Sequence, residues 1–227
     1  MKIIIQTPTA NLQKSIDFFT KLGFSKCESS IQNLFTDGRF YLQINPDKFA
    51  RVGLKIFVDD LENVSKKLQK HTKLLDFENT KVFRSHNTTI KLSDEKIELP
   101  ELKNTNTSLL GNFAGLSLET LDMSSAFRLW NSLGFGLKMG DYDKAWMTLE
   151  NNHGFCVSFM KLNTCPHLFI NPSLTFFNGK NNFDLIQKIR EKNISFAEEI
   201  THFNENNIVD NIILKDPGGL GIFMFND

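Results

Sequence analysis

The chain carries no excess charge of either sign: 26 Lys and Arg balance 26 Asp and Glu over 227 residues. It therefore lacks the electrostatic footprint of a nucleic-acid or anionic-membrane binder. The short basic run KKLQK at 66–70 reads as the solvated face of a helix. No apolar stretch reaches the roughly 18 residues of a membrane span, and the opening MKIIIQ is too short for the apolar core of a secretory signal. Cysteine is scarce. Cys27, Cys156 and Cys165 are odd in number and have no CxxC spacing, so reduced thiols in the cytoplasm are expected in place of a disulfide framework. The neighbourhood Cys165-Pro166-His167 is a weak hint of a nucleophile. The five His residues show no HxH, HxxxH or HxxE spacing, and most, including His86 in a polar turn, are expected at the surface. There is no nucleophile elbow, P-loop or dinucleotide fingerprint.

Against two Trp and two Tyr stand 22 Phe. Phe carries a large apolar area and no polar group to satisfy, so most must be core and some can line a pocket. The other conspicuous feature is a repeat. SIDFFTKLGF at 15–24 and SAFRLWNSLGF at 125–135 end in the same Leu-Gly-Phe, about 111 residues apart, near half the chain. A repeat that long points to duplication of a whole domain.

Residues 2–7 read as a strand. Asn11 caps a helix with Leu12, Ser15, Ile16, Phe19 and Leu22 at helical spacing, and Gly23 ends it. Strands are expected at 24–29, 33–36 and 39–45, with Asp37-Gly38 as a hairpin turn. The pattern restarts with a strand at 52–58, a helix opened by Asp59-Asp60 with Leu61, Val64 and Leu68 inward, and strands at 73–77, 81–85 and 89–99, the last broken at Asp94-Glu95. Residues 103–111 are polar at their start and form the expected linker between domains at 1–102 and 112–227. The second half repeats the plan. Strands are expected at 115–120, 145–149 and 155–161 around a helix capped by Asp122. Further strands at 173–177, 194–200, 208–215 and 221–225 surround a helix at 182–192 with Phe183, Ile186 and Ile189 inward.

Four βαβββ units in tandem, paired two and two, resemble the vicinal oxygen chelate superfamily of glyoxalases, bleomycin-resistance proteins and extradiol dioxygenases. The resemblance is carried by Asn11…Phe18-Phe19-Thr20-Lys21-Leu22-Gly23-Phe24, by Asp122…Leu129-Trp130-Asn131-Ser132-Leu133-Gly134-Phe135, by Val58-Asp59-Asp60-Leu61, and by Asp216-Pro217-Gly218-Gly219 before the last strand. It implies an α+β fold of two bowls, each a curved sheet built from two units, with helices outside and a cavity inside. It also implies where a divalent metal would sit, on His, Gln or Glu of the first and fourth strands of a unit. Counting back about seven residues from each helix-opening residue lands on Ile4, Gly53 and Gly115, with Ser173 near the fourth such position. The fourth-strand positions are Gln43, Glu98, Ser158 or Met160, and Phe223. Open catalytic sites need about three protein ligands, so no metal is expected. A register slip of one residue would bring in Glu119, Glu150 and His153, with His167 near.

Alternation sorts the strand residues into a helix-facing side and a cavity-facing side. In the first bowl the cavity side holds Ile4, Gln6, Tyr41, Gln43, Lys55, Phe57 and Glu98, and Lys55 and Glu98 are expected to pair. In the second it holds Gly115, Ser117, Cys156, Ser158, Thr175, Phe177, Phe223 and Phe225, with Trp146 in reach and Glu119 as the one candidate general base. Small residues on one wall and aromatics on the other suit a flat apolar ligand with a few polar anchors, or else a solid packing of Phe. The expected function is that of a metal-free, glyoxalase- or bleomycin-resistance-like protein, monomeric or dimeric, binding a small apolar or aromatic molecule, with no nucleic acid or membrane partner. A metal-dependent lyase or dioxygenase and a protein-interaction module are the alternatives, and enzymatic activity is open.

Overall fold

The computed structural model describes residues 1–103, 105 and 107–226. Asn104 and Asn106, both in the expected linker, lie outside the described residues. In the first half the elements are β1 (Lys2–Pro8), α1 (Leu12–Lys21), β2 (Ser25–Lys26), β3 (Leu34–Thr36), β4 (Tyr41–Asn45), β5 (Gly53–Phe57), α2 (Leu61–Leu68), β6 (Leu75–Phe77), β7 (Thr80–Ser85) and β8 (Thr88–Ser93). The second half has β9 (Phe113–Thr120), α3 (Met123–Ser132), β10 (Gly136–Gly140), β11 (Trp146–Glu150), β12 (Cys156–Lys161), β13 (Ser173–Phe177), α4 (Asn182–Glu191), β14 (Glu198–Ile200), β15 (Asn211–Lys215) and β16 (Gly221–Phe225). Each half forms one open eight-stranded sheet, in the orders β2-β3-β4-β1-β5-β8-β7-β6 and β10-β11-β12-β9-β13-β16-β15-β14. The two orders match strand for strand, so each sheet is built from two βαβββ units joined at their first strands.

The helices form where the caps stand. Asn11, Asp60 and Asp122 have extended backbones, and their side-chain oxygens accept from Lys14 N at 3.0 Å, Asn63 N at 2.9 Å and Ser125 N at 2.8 Å. Helix α4 opens differently. Asn182 is buried there, and its Nδ2 donates to the carbonyls of Asp210 at 2.6 Å and Met224 at 3.2 Å. That polar anchor takes the inward place at the first turn. Phe183, expected inward, is turned out and exposed, while Ile186 and Ile189 are buried. Strand β10 has no counterpart in the sequence reading, because all five of its residues are exposed and show no alternation.

One continuous apolar cluster joins the helix-facing sides of both sheets, from Ile5, Phe19, Leu42 and Ile56 to Leu118, Trp130, Phe159 and Met224. Phe40 stacks on Phe113 at 4.2 Å between ring centres. The β7–β8 hairpin also crosses between halves. Trp130 Nε1 donates to Ser85 Oγ at 3.2 Å, and His86, expected at the surface, sits half-buried with its ring 5.2 Å from Phe159. Burial holds the His86 imidazole below its usual pKa.

After β8 the chain returns along α1. Leu109 N donates to Leu22 O and Thr107 N to Asp37 O. Gly23, at φ +95°, lies under this crossing, and a Cβ there would come 2.5 Å from Thr107 O. A second tie is Asp216 in the turn before β16. Its carboxylate accepts from Thr7 Oγ1 at 2.6 Å and Leu220 N at 2.7 Å. Burial raises its pKa to about 6 despite these bonds.

Candidate functional site

The concave face of the first sheet is read along the register of its four central strands. Gln43 pairs with Gln6, and Gln6 with Gly53. In the next row Tyr41 pairs with Ile4, Ile4 with Lys55, and Lys55 with Lys91. By this register Ile4, Gln6, Tyr41, Gln43, Lys55 and Phe57 share one face of the sheet. Glu98 is different. Strand β8 ends at Ser93, whose Oγ accepts from Glu95 N at 3.0 Å and turns the chain out of the sheet. Residues 94–103 then form no strand and lie across the concave face as a strap. Ile97 packs on Ile4, Leu34 and Tyr41, while the Lys2 ammonium and the Tyr41 hydroxyl donate to the Ile97 and Pro100 carbonyls. Glu98 is exposed and forms no pair with Lys55. The residue in register with Lys55 is Lys91.

The strap leaves space on both sides. A cleft of about 740 Å³ opens at the β2–β3 edge, lined by Cys27, Ser29, Thr36, Glu98, Leu99 and Lys103 among others. Burial raises the pKa of Cys27 there, and burial with the Cys27 and Glu101 charges raises that of Tyr41. A smaller cavity of about 240 Å³ lies over β5 and β8, lined by Ser30, Ile31, Lys55, Phe57, Thr80, Lys91, Ser93, Glu95 and Ile97. Gln6 is engaged by Asn45 Nδ2 and by the Arg51 carbonyl, each at 2.9 Å. Gln43 Nε2 donates to Gln32 O at 3.1 Å, and its buried Oε1 has no partner.

The second sheet carries a different concave face. Ser158 pairs with Ser117 and Ser117 with Ser173; Gly115 pairs with Thr175 and Thr175 with Phe223. Gly115, at φ +135°, has the Cys156 carbonyl against it, where a Cβ would come within 2.4 Å. The hydroxyls satisfy one another: Ser117 Oγ to Thr175 Oγ1 at 2.6 Å, and Thr148 Oγ1 to Ser158 Oγ at 2.8 Å. Ser117, Thr175, Cys156 and Phe223 are buried, Ser158 is half-buried, and Trp146 and Phe177 are exposed on the same face. The cover is the connection 162–172. Phe169 and His167 hold their rings 5.0 and 5.7 Å from Phe223, and Ile170 and Phe169 pack on the cluster of Ile200, Ile213 and Phe223. Asn163 N donates to Glu119 Oε1 at 3.2 Å and Leu168 N to Glu198 Oε2 at 2.6 Å, so the loop is held at its start and at its middle. The one sequence signal for that role is the apolar run Leu168-Phe169-Ile170, too short and aperiodic to assign to an element.

The residues do not fit the divalent metal that the resemblance implies. Among the described residues no three His, Cys, Asp or Glu side chains come together. The pairings are those of the unslipped register, and the slip candidates lie apart. Glu150 is bonded by Lys138 Nζ at 2.6 Å, which lowers its pKa; His153 Nε2 meets the Met1 amino group at 3.3 Å; and His167 meets Phe223 edge-on and lies tilted against Phe225. Cys165 is not poised as a nucleophile in this geometry. Its Sγ lies 3.2 Å from Met160 Sδ, and burial, with the Glu119 charge second, pushes its pKa up to about 11. His167 Nδ1 faces its neighbour's carbonyl instead, at 3.1 Å from Leu168 O.

Two open eight-stranded sheets of identical strand order, each a pair of βαβββ units, match solved structures along nearly the whole chain. The 2,3-dioxygenase LapB from Pseudomonas sp. KL28 matches with a TM-score of 0.58 at 14% identity, over 98% of this chain and 91% of that one. Homoprotocatechuate 2,3-dioxygenase from Arthrobacter globiformis gives 0.59 at 13%, over 97% and 78%. The Mn(II)-bound glyoxalase from Novosphingobium aromaticivorans gives 0.57 at 12%, over 100% and 82%. The chain has the vicinal oxygen chelate fold. At such identities the likeness is one of fold. No family model and no curated protein matches the chain. Its version of the vicinal oxygen chelate fold has both concave faces covered by non-strand connections. Among its described residues no helix is long and apolar enough to cross a membrane.

Proposed function

We propose that this chain is a binding protein on the vicinal oxygen chelate fold, holding a small molecule with an apolar or aromatic body without a resident metal. The observation that carries the reading is one row of the first sheet: Ile4, Lys55 and Lys91 stand side by side on β1, β5 and β8, and the two lysines face the 240 Å³ cavity beside apolar walls from Phe57, Ile31 and Ile97. A row of aliphatic carbon and ammonium groups offers no lone pairs to a divalent cation at neutral pH. It does offer a partly enclosed space with an apolar wall of Phe57, Ile31 and Ile97 set against polar side chains of Ser30, Thr80, Ser93 and Glu95, a mixture that suits a small molecule with an apolar body and polar substituents. In the second bowl Phe169 and Ile170 fill the position an apolar ligand would take. There Phe223 is the floor residue under the chain's own loop, while Gly115, Ser117, Trp146, Cys156, Ser158, Thr175 and Phe177 share its face.

The test joins two measurements. Elemental analysis of the purified protein, before and after incubation with Mn(II), Fe(II) and Zn(II), is expected to find well under one equivalent bound. A panel of small aromatic compounds, read by native mass spectrometry and thermal shift, is expected to return binders. A stoichiometric transition metal that survives dialysis would overturn the reading in favour of a metal-dependent lyase or dioxygenase. No binder of any charge, together with capture of another protein at an apolar surface, would favour an interaction module.

A further inference from the structure

Lys55 and Lys91 are cross-strand partners on adjacent parallel strands, and both line the 240 Å³ cavity. Like charges placed directly opposite on a sheet destabilise it. Among the described residues neither ammonium has a carboxylate within ion-pair distance. Glu95 stands at the rim and is exposed. Burial first, then the Lys91 charge, lowers the pKa of Lys55, with Glu95 opposing, so the pair sits in a field that an anion would relieve. The Lys91 ammonium lies 5.6 Å from the centre of the Phe77 ring, which steadies it on one side. Ser93 Oγ already accepts from Glu95 N, so its own proton is left for an oxygen in the cavity. Phe57, Ile31 and Ile97 supply the remaining wall.

We propose that this cavity is an oxyanion site, with Lys55 and Lys91 clamping the carboxylate of a compact aromatic acid whose ring lies against Phe57, Ile31 and Ile97. This rests on the small-molecule reading above and narrows it to a chemical class. The volume is below the roughly 300–1,000 Å³ of drug-sized sites, which confines the body to about a single ring.

Benzoate, its neutral isostere benzamide, and inorganic phosphate separate the contributions of charge and ring. Each is titrated by calorimetry into the full chain and into the Lys55→Met, Lys91→Met and double variants. Met keeps the length of the lysine stem and removes the repulsion, so the variants are expected to fold; Lys55→Gln and Lys91→Gln provide a second, polar pair. The expected result is benzoate binding at least tenfold tighter than benzamide, with the ratio falling to within about twofold in the double variant. Equal binding of benzoate and benzamide, unchanged in the variants, overturns the oxyanion site and leaves the small-molecule reading standing. Phosphate binding without either aromatic compound overturns the aromatic acid and that reading with it. Absence of binding by all three at millimolar concentration overturns the site.

Discussion

The two bowls share a fold and differ in what covers their floors. Position for position, Lys55 of the first corresponds to Thr175 of the second, and Lys91 to Phe223. Over the lysines the strap 94–103 leaves a cavity; over Phe223 the loop 162–172 leaves a packed cluster in which Phe223 is 2% exposed. The strap is anchored through one buried residue, Ile97, and through backbone carbonyls that accept from Lys2 and Tyr41. The loop brings Phe169, Ile170 and His167 onto an apolar floor. A charged floor resists being covered by apolar chain, because desolvating an ammonium costs more than packing returns. An apolar floor invites cover. The duplication thus left one floor with an apolar cluster capped by its own chain and the other with a charged pair facing a cavity.

Mutations at corresponding positions test that contrast. Phe223→Ala is expected to cost about 3–5 kcal/mol in urea unfolding, because a fully buried ring is lost from a packed cluster. Lys91→Met at the matching position is expected to stay within about 0.5 kcal/mol or to stabilise slightly. Equal costs at the two positions would mean that both floors are packed alike and would erase the difference.

The tie between the halves should respond to pH. The folded pKa of Asp216 is about 6, above the ordinary 3.8, so the folded chain keeps a proton that the unfolded chain releases. Its contribution to stability is greatest below the unfolded value and declines as pH rises toward 6, by about 3 kcal/mol in all. Asp216→Asn keeps an acceptor for Leu220 N and is neutral throughout. The difference in stability between wild type and this variant, measured from pH 3.5 to 7, is expected to slope in that window and to be flat above it. A parallel pair of curves would show that the Thr7–Asp216 contact carries no burial penalty.

A smaller contrast concerns the two Leu-Gly-Phe turns. Gly23 and Gly134 have nearly the same φ, +95° and +90°. A Cβ on Gly23 would strike Thr107 O at 2.5 Å, whereas on Gly134 it would meet nothing nearer than Met1 Cε at 3.7 Å. Gly134→Ala is expected to cost about 1 kcal/mol, the left-handed penalty alone. Gly23→Ala is expected to cost about 2 kcal/mol, because the returning chain must also shift. Thermal unfolding of both variants measures the gap. Phe169→Ala should cost about 1–2 kcal/mol, since this ring is only half-buried, and should open the second bowl to a neutral ring such as benzene, detectable by thermal shift.

Much of this was legible in the sequence because it depends on local chemistry. Asn11, Asp60 and Asp122 satisfy the first amides of their helices whatever surrounds them, and Leu22-Gly23-Phe24 ends α1 by its own conformational preferences. Strand alternation is equally local, so the concave sets Ile4–Gln6–Lys55 and Gly115–Ser117–Thr175 could be read before the fold. The misreadings have one origin. Glu98 falls in the expected strand 89–99 and at the fourth-strand position the resemblance implies, yet residues 94–103 form a strap whose Ile97 caps a floor built from residues far away in the chain. Phe183 fits a helical stripe, but Asn182 found buried carbonyls on distant strands and took the inward place.

The sequence by itself determined that the chain is duplicated, where α1, α2 and α3 begin, where α1 and α3 end, and which strand residues share a face. These follow from caps, glycines and a period of two. Only the tertiary structure decided that Lys91, and not Glu98, stands beside Lys55, and that a loop packs on Phe223 while a cavity faces the lysines. The physical reason is that aperiodic connections take their place from the surfaces they cover, and those surfaces exist only once the two sheets have formed.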